Sequence, residues 1–459
     1  MSNKIITLDG LNTFLSNVKT YLTELLLSKQ DKLISGENIV TVNGNSILTS
    51  DNVIAGNIGT VDTDLEIIDH LSIEPIIGYS KEYLTIQSLE DNNEVSFSIN
   101  NIMYQPEGSN TWSTLNTGEK LILNTNQEVK FKMNNPQITI YGVGTFSVSK
   151  KYNVKGNMMS LLYGDDFIGK TDLTEIAQTI SDPVPYKLFK ESTTLIDAGN
   201  LILPATTLAN NCYWDMFNGC TSLITAPELP ATTLANYCYN HMFYGCTSLI
   251  TAPELPATTL ANNCYYGMFS SCTNLTTAPE LPATTLAEKC YYYMFSSCIN
   301  LTTAPKLPAT TLTEFCYSFM FNGCTSLTTA PELPATTLAA SCYANMFWNC
   351  TSLTTAPELP ATILVGYCYN NMFNNCTSLT TAPELPATIL AAYCYYRMFA
   401  NCNKLNYIKM LATDISAYEC LYYWVNGVSS TGTFVKNRNA TWNVTGVNGI
   451  PEGWTVETV

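Results

Sequence analysis

Between Leu203 and Cys402 a single 26-residue unit occurs eight times without a slip in register. Its anchor, Leu-Pro-Ala-Thr, recurs at Leu203, Leu229, Leu255, Leu281, Leu307, Leu333, Leu359 and Leu385. Around that anchor each copy reads close to LPATTLAxxCYxxMFxxCTSLTTAPE. A unit this short cannot bury its apolar side chains alone and must stack on its neighbours, so residues 203–410 are expected to form a solenoid. Stacked arrays of this kind serve as binding surfaces and spacers more often than as enzymes.

Within the unit from Leu203 to Glu228, Ala209, Cys212, Tyr213, Met216, Phe217 and Cys220 follow the spacing i, i+3, i+4, i+7, i+8, i+11, which predicts one face of a short helix. Leu223 then begins a Thr-rich extended run that Pro227 ends, so each coil should hold one helix, one strand and two Pro-marked turns. Strands of adjacent coils would lie ~4.8 Å apart, and eight coils would span on the order of 40 Å. All 17 cysteines lie from Cys212 to Cys420. On a helix the two of one unit would sit about 12 Å apart along the axis, beyond the ~7 Å a disulfide allows. Buried thiol ladders are expected, with inter-coil disulfides or metal as alternatives.

At 459 residues the chain has room for about three domains. The fold class expected is α+β. Residues 1–33 carry Leu8, Leu11, Leu15, Val18, Leu22 and Leu25 in a 3-4-3-4 spacing, the seam of a coiled coil. Leu at the a positions Leu8, Leu15 and Leu22 favours a homotrimer over a dimer; packing of the helix on its own chain is the alternative. Residues 34–59 form a connector in which Asn43-Gly44 signals a hairpin. Residues 60–170 alternate apolar and polar side chains between turn clusters and are expected to form a β-sandwich-like domain. A junction at 171–202 contains a worn half-repeat with Leu188-Phe189 where later units have Met-Phe, which suits an N-terminal cap. Residues 411–459 hold a degenerate repeat, in which Leu411 and Cys420 keep register, and a β-rich C-terminal cap.

A net charge of −16 argues against nucleic acid and against an anionic membrane surface as partners. The opening MSNKIITLDGLNTFL has neither a basic n-region nor a long apolar stretch, and no apolar run reaches the ~18 residues of a membrane span. Folding in a cytoplasm is therefore the expectation. Tyr163-Gly164-Asp165-Asp166 imitates a polymerase motif, but no further acidic ligand or basic groove accompanies it. His70 and His241 are the only histidines, too few to serve the many Ser and Cys as bases. No catalytic residue, metal site or cofactor is expected. The row of Glu228, Glu254, Glu280, Glu332, Glu358 and Glu384, broken by Lys306, is read as a solvated edge.

The eight units differ mainly at the pairs before Cys-Tyr, after it and after Met-Phe. Those positions hold Trp214, Asp215, Tyr237, Tyr244, Tyr266, Tyr292, Tyr293, Phe315, Phe319, Trp348, Tyr367, Tyr393, Tyr396 and Arg397, among Asn, Ser and Gly. Of these, Trp214, Tyr237, Tyr244, Tyr266, Tyr293, Phe319, Trp348, Tyr367 and Tyr396 are the candidate contacts. Aromatics set among small polar residues have the composition of paratopes, so this ridge is the candidate partner-binding site. Neutral drift at exposed positions is the competing explanation.

The Phe-x-x-Cys-x-x-Leu core of each unit, as in Phe217/Cys220/Leu223, resembles the BspA-like leucine-rich repeats of bacterial surface proteins and of phages infecting gut Bacteroidetes; the likeness covers about 188–425. The segment KQDKLISGENIVTVNGNSIL resembles a stretch near the start of phage tail-fibre and other virion appendage proteins. The closing GTFVKN…GIPEGWTV resembles the terminus of phage-borne repeat proteins. Together these resemblances imply a non-enzymatic virion fibre on tail or head, assembled in the host cytoplasm. Such a protein would join other virion proteins through its N-terminus and a host surface glycan or protein through the solenoid. The alternative is a bacterial cell-surface adhesin.

Overall fold

The computed structural model of the chain describes residues 41–42, 45–46, 81–98, 102–134, 145–174 and 187–459. The expected coiled-coil helix of 1–33, with Leu8, Leu11, Leu15, Val18, Leu22 and Leu25, lies outside the described residues. A minimal ladder joins β1 (Thr41–Val42) and β2 (Asn45–Ser46) antiparallel, leaving the two residues Asn43 and Gly44 between them.

Strands β3 (Leu84–Ser88), β4 (Asn93–Phe97), β5 (Ile102–Pro106), β6 (Ser113–Leu115), β7 (Leu121–Leu123), β8 (Glu128–Met133), β9 (Phe146–Val148) and β10 (Tyr152–Asn157) follow. They alternate apolar and polar residues, as in the buried Val95 and Phe97 of β4. Together with β11 (Leu195–Ile202) they form a six-stranded sheet ordered β11-β10-β3-β8-β5-β6 and a three-stranded sheet ordered β7-β4-β9. The sheets meet where Phe146, which packs on its strand neighbour Phe97 at 4.5 Å, reaches Phe131 of the larger sheet, with ring centroids 4.9 Å apart. A single helical turn, α1 (Ser160–Tyr163), closes one end, its Ser160 hydroxyl donating to the Phe131 carbonyl at 2.9 Å. Asp165, just beyond α1, receives the Lys132 ammonium at 2.6 and 2.7 Å and the Tyr83 hydroxyl at 2.7 Å. These bonds give the YGDD stretch a structural role. The hydrogen bond from Lys132 holds the Asp165 carboxyl below its ordinary value, while burial raises the Tyr83 hydroxyl to about 12.

The sheet passes into the solenoid without a break. β11 pairs parallel with β10 on one side, and on the other Ala198 N–H donates to the Thr225 carbonyl of the first coil at 3.1 Å. Phe189 of the half-repeat stacks between Phe146 and Phe217, at 5.8 and 5.5 Å. From Phe146 to Phe399 the rings form one column with centroids 5.4 to 5.8 Å apart. A second column of buried tyrosines runs beside it from Tyr213 to Tyr395, at 5.6 to 6.0 Å. Both end on Trp424, whose indole N–H donates to the Gly449 carbonyl at 2.9 Å. Beyond the eighth coil the parallel sheet β12 (Tyr407–Met410), β13 (Thr433–Lys436) and β14 (Thr455–Thr458) seals the array.

The α+β expectation fails in the coils. No residue from 187 to 459 is helical, and the described molecule is built of strands and turns. Where a helix was predicted, the backbone alternates its hydrogen bonds. In the second coil Cys238, Asn240, Met242 and Tyr244 donate three residues back, closing successive tight turns at 3.1 to 3.3 Å. The intervening Tyr239, His241, Phe243 and Gly245 donate across to the next coil, to Cys264, Tyr266, Met268 and Ser270, at 2.8 to 3.0 Å. A helix would send every one of these N–H groups four residues back. The turn ladder is possible because every fourth residue takes a left-handed φ: Tyr237 at 59°, His241 at 53° and Gly245 at 70°. The predicted strand of each coil likewise shrinks to single bridges such as Thr225↔Thr251 and Thr277↔Thr303. The prolines flanking these sites, Pro227 and Pro230 in the first coil, lack the N–H that a longer ladder needs.

All 17 cysteines are buried free thiols. The second cysteine of each unit donates its S–H to the phenylalanine carbonyl of the coil below, Cys246 to Phe217 at 3.1 Å and Cys298 to Phe269 at 3.1 Å. Burial pushes the Cys298 thiol up to about 12, so it stays protonated and remains a donor at neutral pH.

Candidate binding face

The turn ladder presents three rows of outward positions on one side of the solenoid: the residue before each Cys-Tyr, and the residues three and seven after that cysteine. These are the left-handed positions, and many coils fill them with Asn or Gly, which tolerate that backbone best, and others with Ser. Seven of them instead carry Tyr237, Tyr293, Phe315, Phe319, Tyr367, Tyr393 and Tyr423, with φ between 51° and 60°. A bulky side chain in this region costs about 1–2 kcal/mol relative to right-handed backbone. Core packing does not explain the choice, since all seven point away from the buried columns; Tyr237 and Tyr367 are 41% and 42% exposed.

Of the residues singled out from the sequence, the structure brings Tyr266, Tyr293, Phe319 and Trp348 into one chain. Tyr266 meets Tyr293 at 6.3 Å, Tyr293 stacks on Phe319 at 4.4 Å, and Phe319 reaches Trp348 at 6.4 Å. Tyr292 bridges the first pair, 5.0 Å from Tyr266 and 4.6 Å from Tyr293. His241 extends this run toward the N-terminus, with its ring 5.1 Å from Tyr266 and 5.3 Å from Tyr244. Burial holds the His241 imidazole below its usual value, against the pull of Asp215, so the run is uncharged at neutral pH at that end. Trp214 and Tyr237 form a separate pair at 6.4 Å. Trp214, Tyr266, Tyr293, Phe319, Trp348 and Tyr396 are half-buried, each leaning on a ring of a neighbouring coil.

A second aromatic cluster occupies the last coils. Tyr367 stacks on Tyr393 at 4.4 Å, and Tyr393 lies 5.9 Å from Tyr396 and 5.3 Å from Tyr418. Tyr396 stacks in turn on Tyr422 at 5.1 Å, and Tyr422 meets Tyr423 at 4.6 Å. Between the two clusters the rows are filled by linked amides: Asn374 donates to Asn371, Asn375 to Asn349, and Asn401 to Asn374, at 2.8, 2.8 and 3.2 Å. Sequence reasoning missed Tyr418, Tyr422 and Tyr423. They belong to the ninth coil, whose motif has decayed, but the retained register of Cys420 places them in the ridge rows.

Among the described residues no cluster of three or more His, Cys, Asp or Glu could hold a metal ion. The acidic edge stays open to solvent at Glu254, Glu280, Glu332, Glu358 and Glu384, the last paired with Lys409 at 2.8 Å. No helix among the described residues is long and apolar enough to cross a membrane.

Residues 200–318 and 288–424 match the family model of the BspA type leucine-rich repeat region, described as six copies. Residues 200–424 of the solenoid are thus similar to leucine-rich repeats of the BspA type. No curated protein and no solved structure matches the chain.

Proposed function

We propose that this protein is a non-enzymatic, surface-displayed recognition protein whose aromatic ridge binds a glycan or protein on a host-cell surface. The observation that carries this reading is the placement of seven aromatic side chains at left-handed positions that sister coils give to Asn, Gly and Ser. Strained backbone that packing does not require is concentrated where a fold does its work. The linked asparagines between the clusters add adaptable hydrogen-bonding groups beside rigid rings, the combination that makes protein paratopes versatile. The likeness of the array to BspA-type repeats supports a surface or adhesin-like role.

The finer reading is a virion fibre, with the N-terminal region attaching it and the solenoid facing outward. It is supported by the resemblance of KQDKLISGENIVTVNGNSIL and GTFVKN…GIPEGWTV to segments of phage appendage proteins. Immuno-labelling of purified particles decides between this placement and a bacterial cell-surface adhesin, which predicts label on cells alone. The binding role itself is tested by replacing Trp214, Tyr266, Tyr293 and Trp348 together with Ser. Adsorption of the purified protein to host cells should fall at least about tenfold, since Tyr266, Tyr293 and Trp348 anchor the central run and Trp214 anchors the pair beside it. Unchanged adsorption would refute the assignment of the ridge.

A further inference from the structure

The left-handed rows of the coils also hold four charged residues, Asp215, Lys289, Arg397 and Glu419. Arg397 is the only arginine of the array, in a chain of net charge −16. It occupies a left-handed position with φ 50°, where the two preceding coils carry Asn345 and Asn371. A long cation gains nothing from that backbone, so the reason for it must lie in the side chain. Its guanidinium sits over two rings of the second cluster, 5.5 Å from the Tyr396 centroid and 5.8 Å from that of Tyr423. Among the described residues it makes no ion pair and donates no side-chain hydrogen bond, and the Glu419 carboxylate, on the neighbouring coil, lies beyond ion-pair distance. By contrast Lys289, Lys409 and Lys190 are each paired with a carboxylate at 2.6 to 2.8 Å.

The geometry points to this end of the ridge as a subsite for an acidic sugar, with Arg397 pairing its carboxylate and the tyrosines taking its ring. The inference rests on the recognition role given above and names the chemistry of the ligand at one place along the ridge. A guanidinium held against aromatic faces keeps its N–H edge for an outside acceptor, and that edge matches a carboxylate in two parallel hydrogen bonds. Beside it Tyr422 stacks on Tyr396 with planes 16° apart, and Tyr423 is 38% exposed. These rings offer an apolar face with a hydroxyl at the rim. A pyranose has the complementary form, an apolar face of C–H groups edged by hydroxyls, whereas an acidic peptide would use the arginine and leave the hydroxyl rim unmatched.

The test uses the full chain and isothermal titration with oligosaccharides of galacturonate, glucuronate and sialyl-lactose, each alongside its carboxyl-reduced counterpart. An acidic peptide of matched charge serves as a further titrant. At least one acidic oligosaccharide should bind about tenfold more tightly than its reduced form, and Arg397→Asn should abolish that difference. The Asn variant repeats what Asn345 and Asn371 place at the same position, so it leaves the coil intact. Arg397→Lys should recover only part of the preference, because an ammonium cannot form the paired bonds. Equal binding of acidic and reduced forms, or a preference that survives Arg397→Asn, would overturn the acidic subsite while leaving the ridge as a glycan site. Tight binding of the peptide alone would overturn the sugar assignment. No binding of any saccharide, with adsorption to cells intact, would also overturn it and leave the recognition role standing on protein ligands.

Discussion

Replacing Phe295 by alanine should destabilise the protein by about 3–5 kcal/mol, the range for removing a fully buried aromatic ring. Phe295 has no exposed surface and lies between Phe269 and Phe321, at 5.7 and 5.8 Å with planes 4° and 7° apart. Two stacking contacts are lost with the ring, each worth about 0.5–1.5 kcal/mol beyond area burial. The rigid coils above and below, held by backbone bonds from Phe295 to Met320 and Phe269 to Met294, limit collapse into the cavity. In a quasi-one-dimensional array the loss falls on an interface between neighbours, so denaturant unfolding should also broaden as the two halves uncouple. Thr303→Ala, at an exposed position of the same coil, should stay within about 0.5 kcal/mol and serves as the control.

Tyr293→Pro should be at least as severe, about 3 kcal/mol or more, and should prevent accumulation of soluble protein if the local coil opens. Proline fixes φ near −65°, whereas Tyr293 sits at +58°. Its ring would also remove the N–H that donates to the Ser318 carbonyl of the next coil at 3.1 Å. Tyr293→Gly separates conformation from chemistry. In an exposed helix glycine would cost about 1 kcal/mol. At a left-handed turn position it relieves backbone strain of about 1–2 kcal/mol, against the loss of the Phe319 stack at 4.4 Å. Chemical denaturation of the two variants thus reports the turn ladder directly: a large loss for proline and little change for glycine.

The stacking of the array was legible in the sequence because a fixed register leaves the apolar residues of one unit nowhere to go but against the next. The form of the coil was not, although the signal was present. Cys212, Met216 and Cys220 are four residues apart, as are Tyr213 and Phe217. On a helix the step from Cys212 to Cys220 rotates about 80° away from register, whereas a ladder of four-residue turns returns each to the same face. The i, i+3, i+4 pattern satisfied both periods over so short a stretch, and the choice depends on inter-coil hydrogen bonds that a single unit does not display. Knowledge of the left-handed rows was lost with it. Asn and Gly recurring at one position in four, as at Asn263, Gly267, Asn345 and Asn371, are their trace in the sequence. The ridge residues could be named from variation between units, but their contacts could not. The ninth coil's Tyr418, Tyr422 and Tyr423 join the ridge only through the lateral spacing of the coils.

The seam between the sheet domain and the array shows the same division. Leu188-Phe189 could be recognised as a worn Met-Phe, and the structure gives it the corresponding place in the phenylalanine column. What the sequence does not reveal is that Phe146, from a strand of the sheet domain, continues that column. Domain and solenoid share one hydrophobic core. A ligand held on the coils is thereby anchored through a continuous packed body to the sheet that precedes them.

That the ridge aromatics serve recognition and not stability is tested most directly by measuring both in one variant. Tyr237, Phe319 and Tyr367 are replaced together by Asn, the residue that Asn211 and Asn263 place at the position of Tyr237 and Tyr367, and that Asn345 and Asn371 place at the position of Phe319. Relief of backbone strain, about 1–2 kcal/mol per site, offsets lost ring stacking of about 0.5–1.5 kcal/mol. The thermal unfolding midpoint should therefore remain within a few degrees of the parent or rise, while adsorption to host cells is lost. A midpoint that collapses as it does for Phe295→Ala, or adsorption that persists in a stable variant, would contradict the account.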